Sequence, residues 1–162
     1  GYFDGLDEAQ LARIRSLAQH DRLVAGLDIY PISVMPVGGD RHAWTPRELI
    51  SLAMAEIERW HDRYEQPFWI AETSNLTLPL DQQVSWLNEF SAGLAQLRVD
   101  GRPARGLCWY SRGDQFDWQT ALTEPTGAVT EVGLYDTERR ARPVAARFKE
   151  LADGGAPQPQ VN

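Results

Sequence analysis

Three short, largely apolar runs limit what this chain can fold into: "LVAGLDIY" at 23–30, "FWIAE" at 68–72 and "RGLCWYS" at 105–111. Each has strand length, and each is followed in the chain by a segment with helical spacing. Thr45, Pro46 and Glu48 read as N-cap, first helical residue and capping-box partner, with Leu49, Ala53, Ile57, Trp60 and Tyr64 along one face. A second helix is expected after Asp81 as cap, turning Val84, Leu87, Phe90, Leu94 and Leu97 inward. A third begins near Pro143 and packs through Val144, Phe148 and Leu151. Upstream, Asp7 and Gln10 open a helix over 7–20 whose stripe is Leu11, Ile14, Leu17 and Ala18. Near-continuous apolar strands alternating with helices imply parallel βα units with covered faces.

At 162 residues the chain can hold one domain with a real core. Its 43% hydrophobic and 24% charged residues are a globular composition, and a net charge of -7 argues against a nucleic-acid partner. No apolar run approaches the ~20 residues of a membrane span, and "GYFDGLDEAQ" has no signal-peptide pattern. The lone Cys108 favours a reducing, cytoplasmic setting and reads as a buried strand residue. Asn75-Leu76-Thr77 matches a glycosylation acceptor only by coincidence of a short pattern.

An open doubly wound sheet and part of a barrel both fit βα units. No strand leads into a phosphate-cradling Gly-rich turn, because "VGGDR" at 37–41 lacks the spacing and the helix start. Residues with chemical potential instead gather at the C-terminal strand ends: Tyr30, Glu72 and the group 109–118. A (β/α)8 barrel keeps its active site there. Such a barrel takes roughly 250 residues, so the expectation is a partial TIM barrel of three C-terminal βα units. Residues 1–152 would form that portion and 153–162 a disordered tail.

Simple alternation groups Phe68, Ile70 and Glu72 on one side of the second strand, the barrel interior, and Trp69 and Ala71 on the other. An unpaired buried acid is costly, so Glu72 must reach a cleft or a hydrogen bond; a solvated strand-end glutamate is the plain alternative. "WYSRGDQFDW" (109–118) interleaves Trp109, Tyr110, Phe116 and Trp118 with Asp114 and Asp117. Aromatic faces stack on sugar C–H faces and acids accept from sugar hydroxyls, so the mixture suits a carbohydrate pocket. A hydrophobic minicore with aspartates as turn formers is the competing reading.

"PFWIAETSN", "WYSRGDQFDW" and "VGLYDTERRARPVAARFKEL" resemble, in order and spacing, three motifs of family 1 glycoside hydrolases, the β-glucosidase-like retaining barrels. The likeness spans residues 7–152 and would make the strands here the sixth to eighth of the barrel. It implies that Glu72 is the nucleophile forming a glycosyl-enzyme intermediate and that Tyr30 donates a hydrogen bond to it. Asp117 would bind sugar hydroxyls beside Trp118. Tyr110 would take the place of the family's stacking Trp, with Trp109 one position early. The clan often has a cis peptide at the step matching Tyr110-Ser111. No cofactor and no metal are implied.

The chain departs from the family at Ala71, Thr73-Ser74, Tyr110 and Asp117, where the family has Thr, Asn-Gly, Trp and Glu. These departures point away from glucose itself. The family's acid/base motif, Asn-Glu-Pro, is missing, and "LNEF" (87–90) lies mid-helix. Asp28 and Asp114 are the remaining acids to weigh. The expectation is therefore a β-glycosidase inactive without the rest of its barrel, upstream of residue 1, which would also cover the exposed strand edges. A non-catalytic carbohydrate-binding relic is the alternative. His20 and His61 read as solvated helix-end cations, His42 as weak evidence for a pocket, and Arg139, Arg140, Arg142 and Arg147 as an exposed basic face.

Overall fold

The computed structural model describes residues 5–17, 24–36, 38 and 44–156. Helix α1 (Glu8–Leu17) opens with the reciprocal cap read from the sequence, Asp7 N–H to Gln10 Oε1 at 2.9 Å and Gln10 N–H to Asp7 Oδ1 at 2.8 Å. Its expected stripe is not buried, since Ile14 and Leu17 are exposed. The expected continuation over 18–20, with His20, lies outside the described residues, as does His42.

The centre is a parallel sheet in the order β1 (Ala25–Asp28), β2 (Phe68–Thr73), β3 (Ala104–Trp109). A short helix α2 (Pro31–Val34) follows β1. Helix α3 (Pro46–Tyr64) joins β1 to β2, and α4 (Gln83–Val99) joins β2 to β3. After β3, a hairpin of β4 (Gln115–Phe116) and β5 (Val129–Thr130) precedes α5 (Pro143–Ala152). The capping box at α3 forms as the sequence implies, Thr45 N–H to Glu48 Oε2 at 2.8 Å and Glu48 N–H to Thr45 Oγ1 at 3.3 Å. Asp81 does not cap α4; it sits in a 3-10 turn, Leu80–Gln82.

One face of the sheet carries the core. Phe68 and Ile70 are fully buried against Leu49, Ala53 and Ile57 of α3 and Leu87, Phe90 and Leu94 of α4, with Val144 of α5 closing the cluster. Each such apolar side chain removed from water stabilises by about 2–3 kcal/mol. The expected grouping of Phe68, Ile70 and Glu72 therefore fails: the first two face the helices, while Trp69 is 40% exposed on the other face. The cause is a bulge. Ile70 pairs with Leu27 and Leu107, whereas Glu72 pairs with Asp28 and Thr73 with Trp109, so β2 carries an extra residue at Ala71. The extra residue resets the alternation. Thr73 turns to the helices, accepting from Trp86 Nε1 at 2.9 Å, and Glu72 emerges on the uncovered face.

Other expectations are corrected likewise. Cys108 is exposed rather than buried. His61 is largely covered, its ring 6.2 Å from that of Phe68. Tyr64, placed on the inward stripe of α3, is exposed. Arg147 does not sit on an open basic face but donates from Nε to Asn88 Oδ1 at 2.6 Å and pairs with Glu150. At the start of the expected tail, the N–H groups of Asp153, Gly154 and Gly155 return to the Lys149, Leu151 and Glu150 carbonyls. Of the expected tail, 157–162 lies outside the described residues. Asn75 is 3% exposed and held by Gln83, which disfavours glycan attachment to the folded chain.

Candidate functional site

The C-terminal ends of the three strands bring together Tyr30, Glu72, Tyr110 and Trp118. Tyr30 follows β1 and is fixed by the turn into α2, where its N–H donates to Ser33 Oγ at 3.2 Å and its carbonyl accepts from Ser33 N–H at 2.9 Å. Its hydroxyl donates to Glu72 Oε2 at 2.7 Å. Glu72 is half-buried, and among the described residues its Oε1 accepts no hydrogen bond. The ladder extends past the strands on both sides, Ile29 N–H to the Glu72 carbonyl at 2.9 Å and Tyr110 N–H to the Thr73 carbonyl at 2.8 Å. That extension fixes the relative height of the three residues.

Burial pushes the Tyr30 phenol well above its ordinary value; the hydrogen bond to Glu72 and the charges of Glu72 and Asp28 push it the same way. Tyr30 is therefore a neutral donor throughout the ordinary pH range. Trp118 packs edge-on to Tyr30, ring centroids 5.9 Å apart, and tilted on Tyr110 at 5.1 Å. The Tyr110 hydroxyl reaches Gln115 Oε1 at 3.4 Å, and the Tyr110-Ser111 peptide is cis. One carboxylate oxygen is thus clamped beside three aromatic rings while the other remains open.

The remaining expected site residues are placed elsewhere or engaged otherwise. Trp109 points into the core, buried, its Nε1 donating to the Val132 carbonyl at 2.8 Å. The same local bend that lifts Tyr110 to the open side commits its neighbour to the helices. Asp114 is tied to the segment after β5: Oδ1 accepts from Gly133 N–H at 2.9 Å, and Oδ2 pairs with Arg142. The side chains of Asp114 and Arg142 are 2% and 12% exposed, so Arg142 also leaves the expected basic face. Asp117 holds its own loop, Oδ1 accepting from Thr126 N–H at 2.9 Å, Thr126 Oγ1 at 2.6 Å and Ala128 N–H at 3.1 Å. Asp28 is exposed on the open face, in register with Glu72.

Sequence reasoning missed the residues that brace the site. Trp86 is fully buried and holds Thr73 beside Glu72. Its position four before Phe90, eight before Leu94 and eleven before Leu97 carried a helical-stripe signal that the inward set omitted. Gln83 Nε2 ties Asn75 Oδ1 at 2.9 Å, and Asn75 Nδ2 reaches the Glu131 carbonyl at 3.2 Å. No local pattern marks those contacts. Among the described residues no group of His, Cys, Asp and Glu gathers as a metal site, and no helix is long and apolar enough to cross a membrane.

Neither a family model nor a curated protein matches the sequence. Solved structures do match in fold. A β-glucosidase from Exiguobacterium marinum aligns with a TM-score of 0.65 at 16% identity, over 96% of this chain and 39% of its own. The β-glycosidase of the hyperthermophile Thermosphaera aggregans aligns at 0.54 and 19% identity, over 72% and 24%. A Bifidobacterium dentium β-glucuronidase, complexed with coumarin-3-O-glucuronide, aligns at 0.58 and 14%, over 87% and 22%. The chain spans about a quarter to two fifths of the length of these proteins. In fold, then, this α/β chain with its parallel sheet is similar to part of the β-glycosidases, the group whose motifs its sequence resembles.

Proposed function

We propose that the chain supplies the sixth to eighth βα units of a (β/α)8 retaining β-glycosidase, with Glu72 as nucleophile. The observation that carries this reading is the Tyr30 hydroxyl on Glu72 Oε2 at 2.7 Å, set where adjacent parallel strands end. The bond steadies the carboxylate and leaves Oε1 to attack an anomeric carbon from the open face. Tyr110 and Trp118 form the aromatic wall against which a sugar ring would lie.

Retention needs a second carboxyl group about 5–5.5 Å from the first. Asp114 and Asp117 are consumed by structural bonds, which leaves Asp28, exposed in register with Glu72, as the one acid weighed in this chain. On the family resemblance the acid/base comes instead from an earlier strand, outside this sequence. The substrate is a β-linked sugar, and with Asp117 turned to its own loop the ring hydroxyls are recognised by other groups.

A fluorinated-sugar inhibitor that traps the glycosyl-enzyme tests the reading on the natural-length protein. The expected result is one adduct, on the peptide containing Glu72, absent in Glu72→Gln. An adduct on another carboxylate overturns the assignment. Sugar binding with no adduct would leave the non-catalytic relic.

A further inference from the structure

The layer of loops after β3 holds a cavity whose lining includes none of Tyr30, Glu72, Tyr110 and Trp118. It measures about 490 Å³ and is walled by Arg112, Gly113, Tyr135, Asp136 and Arg139. We propose that this cavity is an oxyanion site, taking the phosphate or carboxylate group of a small molecule between the guanidinium groups of Arg112 and Arg139.

Two cations line this space. Among the described residues neither Arg112 nor Arg139 makes an ion pair, although their neighbours Arg140 and Arg142 do. The one acid of the lining does not neutralise them. Asp136 Oδ1 already accepts from Glu138 N–H and Arg140 N–H, each at 2.9 Å, and Oδ2 from Arg140 Nε at 2.7 Å.

The arginines are also positioned. The Arg112 guanidinium carbon lies 5.9 Å from the Tyr135 ring centre, a cation–π contact that orients the planar group and leaves its N–H edge for a ligand. Tyr135 is itself fixed, its N–H donating to the Arg112 carbonyl at 2.9 Å and Gly113 bridging to it. Arg139 stands at φ +66°, a left-handed position that favours glycine or asparagine, so turn formation does not account for an arginine there. A Cβ added at Gly113 would meet nothing within 4 Å, which leaves that wall open. A guanidinium fork matches the two oxygens of a phosphate or carboxylate, and the volume admits a small molecule bearing one.

Calorimetric titration of the natural-length protein with inorganic phosphate, glucose 6-phosphate, glucuronate and glucose tests this. Saturable binding of at least one anion, weakened at least tenfold by Arg112→Gln and by Arg139→Gln and by high salt, is expected. Phosphate probes against glucuronate separate the two sources of the oxyanion. The Glu72→Gln protein should bind the same anion unchanged, which keeps this result apart from the glycosidase reading. No saturable anion binding, equal binding of glucose, or unchanged affinity in the folded Arg112→Gln/Arg139→Gln protein would overturn the site. Both arginines lack ion pairs, so these variants should fold.

Discussion

The hydroxyl of Tyr30 donates to Oε2 of Glu72 at 2.7 Å, joining two residues that lie 42 positions apart in the chain. It can do so because β1 and β2 are parallel neighbours and a bulge at Ala71 turns the glutamate to the tyrosine's side. Without the bulge Glu72 would point with Ile70 into the helices, where an acid has no partner.

On the proposed role of Glu72, replacing it by Gln in the natural-length protein should lower kcat by at least about 10⁴-fold, the scale of losing a nucleophile. The half-buried side chain keeps its shape and a hydrogen-bond acceptor, so the thermal midpoint should hold. Steady-state kinetics beside a melting curve checks both. Retained activity would place the chemistry on another group.

Tyr30→Phe removes only the hydroxyl. A hydrogen bond to a charged group is worth about 1.5–3 kcal/mol, so kcat/KM should fall roughly 10- to 100-fold. The pH response follows from the raised phenol. The folded state holds the Tyr30 proton more tightly than the unfolded state, whose tyrosines ionise near pH ~10. The resulting stability is complete below that pH and is lost as pH rises beyond it. Alkaline unfolding should therefore be less steep in Tyr30→Phe. In the folded wild type, phenolate absorbance should show one tyrosine silent until the chain unfolds.

Asp114→Ala strands Arg142 in a largely buried position. Removing one partner of a buried pair costs about 3–5 kcal/mol, and Glu131 Oε1 at 3.4 Å offers Arg142 partial relief. Urea unfolding should show a loss near the lower end of that range. A change confined to KM, with stability intact, would return Asp114 to sugar binding.

Asp117 closes the 117–128 loop, and the Thr126 hydroxyl, foremost, holds its carboxyl below the usual carboxylate range. Because the folded value is depressed, the loop's support is present above about pH 4, the ordinary aspartate value, and is lost as pH falls through the folded value. Asp117→Ala should expose the loop to proteolysis at neutral pH. Wild type should become comparably sensitive only in acid.

Much of this molecule is written locally. The βα alternation, the caps at Asp7 and Thr45, and an acid at the end of an apolar strand depend on neighbours within a turn or two, where backbone propensity and spacing act. Glu72, Tyr30, Tyr110 and Trp118 could be picked out in that way, and the fold places them together. Direction could not. One inserted residue in β2 reverses which side chains meet the helices, and it becomes visible only against the register of β1 and β3. Trp109 enters the core and Asp114 finds Arg142 28 residues on, because a buried polar atom takes whichever partner the packed chain brings near; Asp117 finds Thr126 nine on by closing its own surface loop. Sequence alone determined where the three βα units run and where an acid could stand. Tertiary packing decided which acids stay free, since only the assembled fold determines which charges are already satisfied.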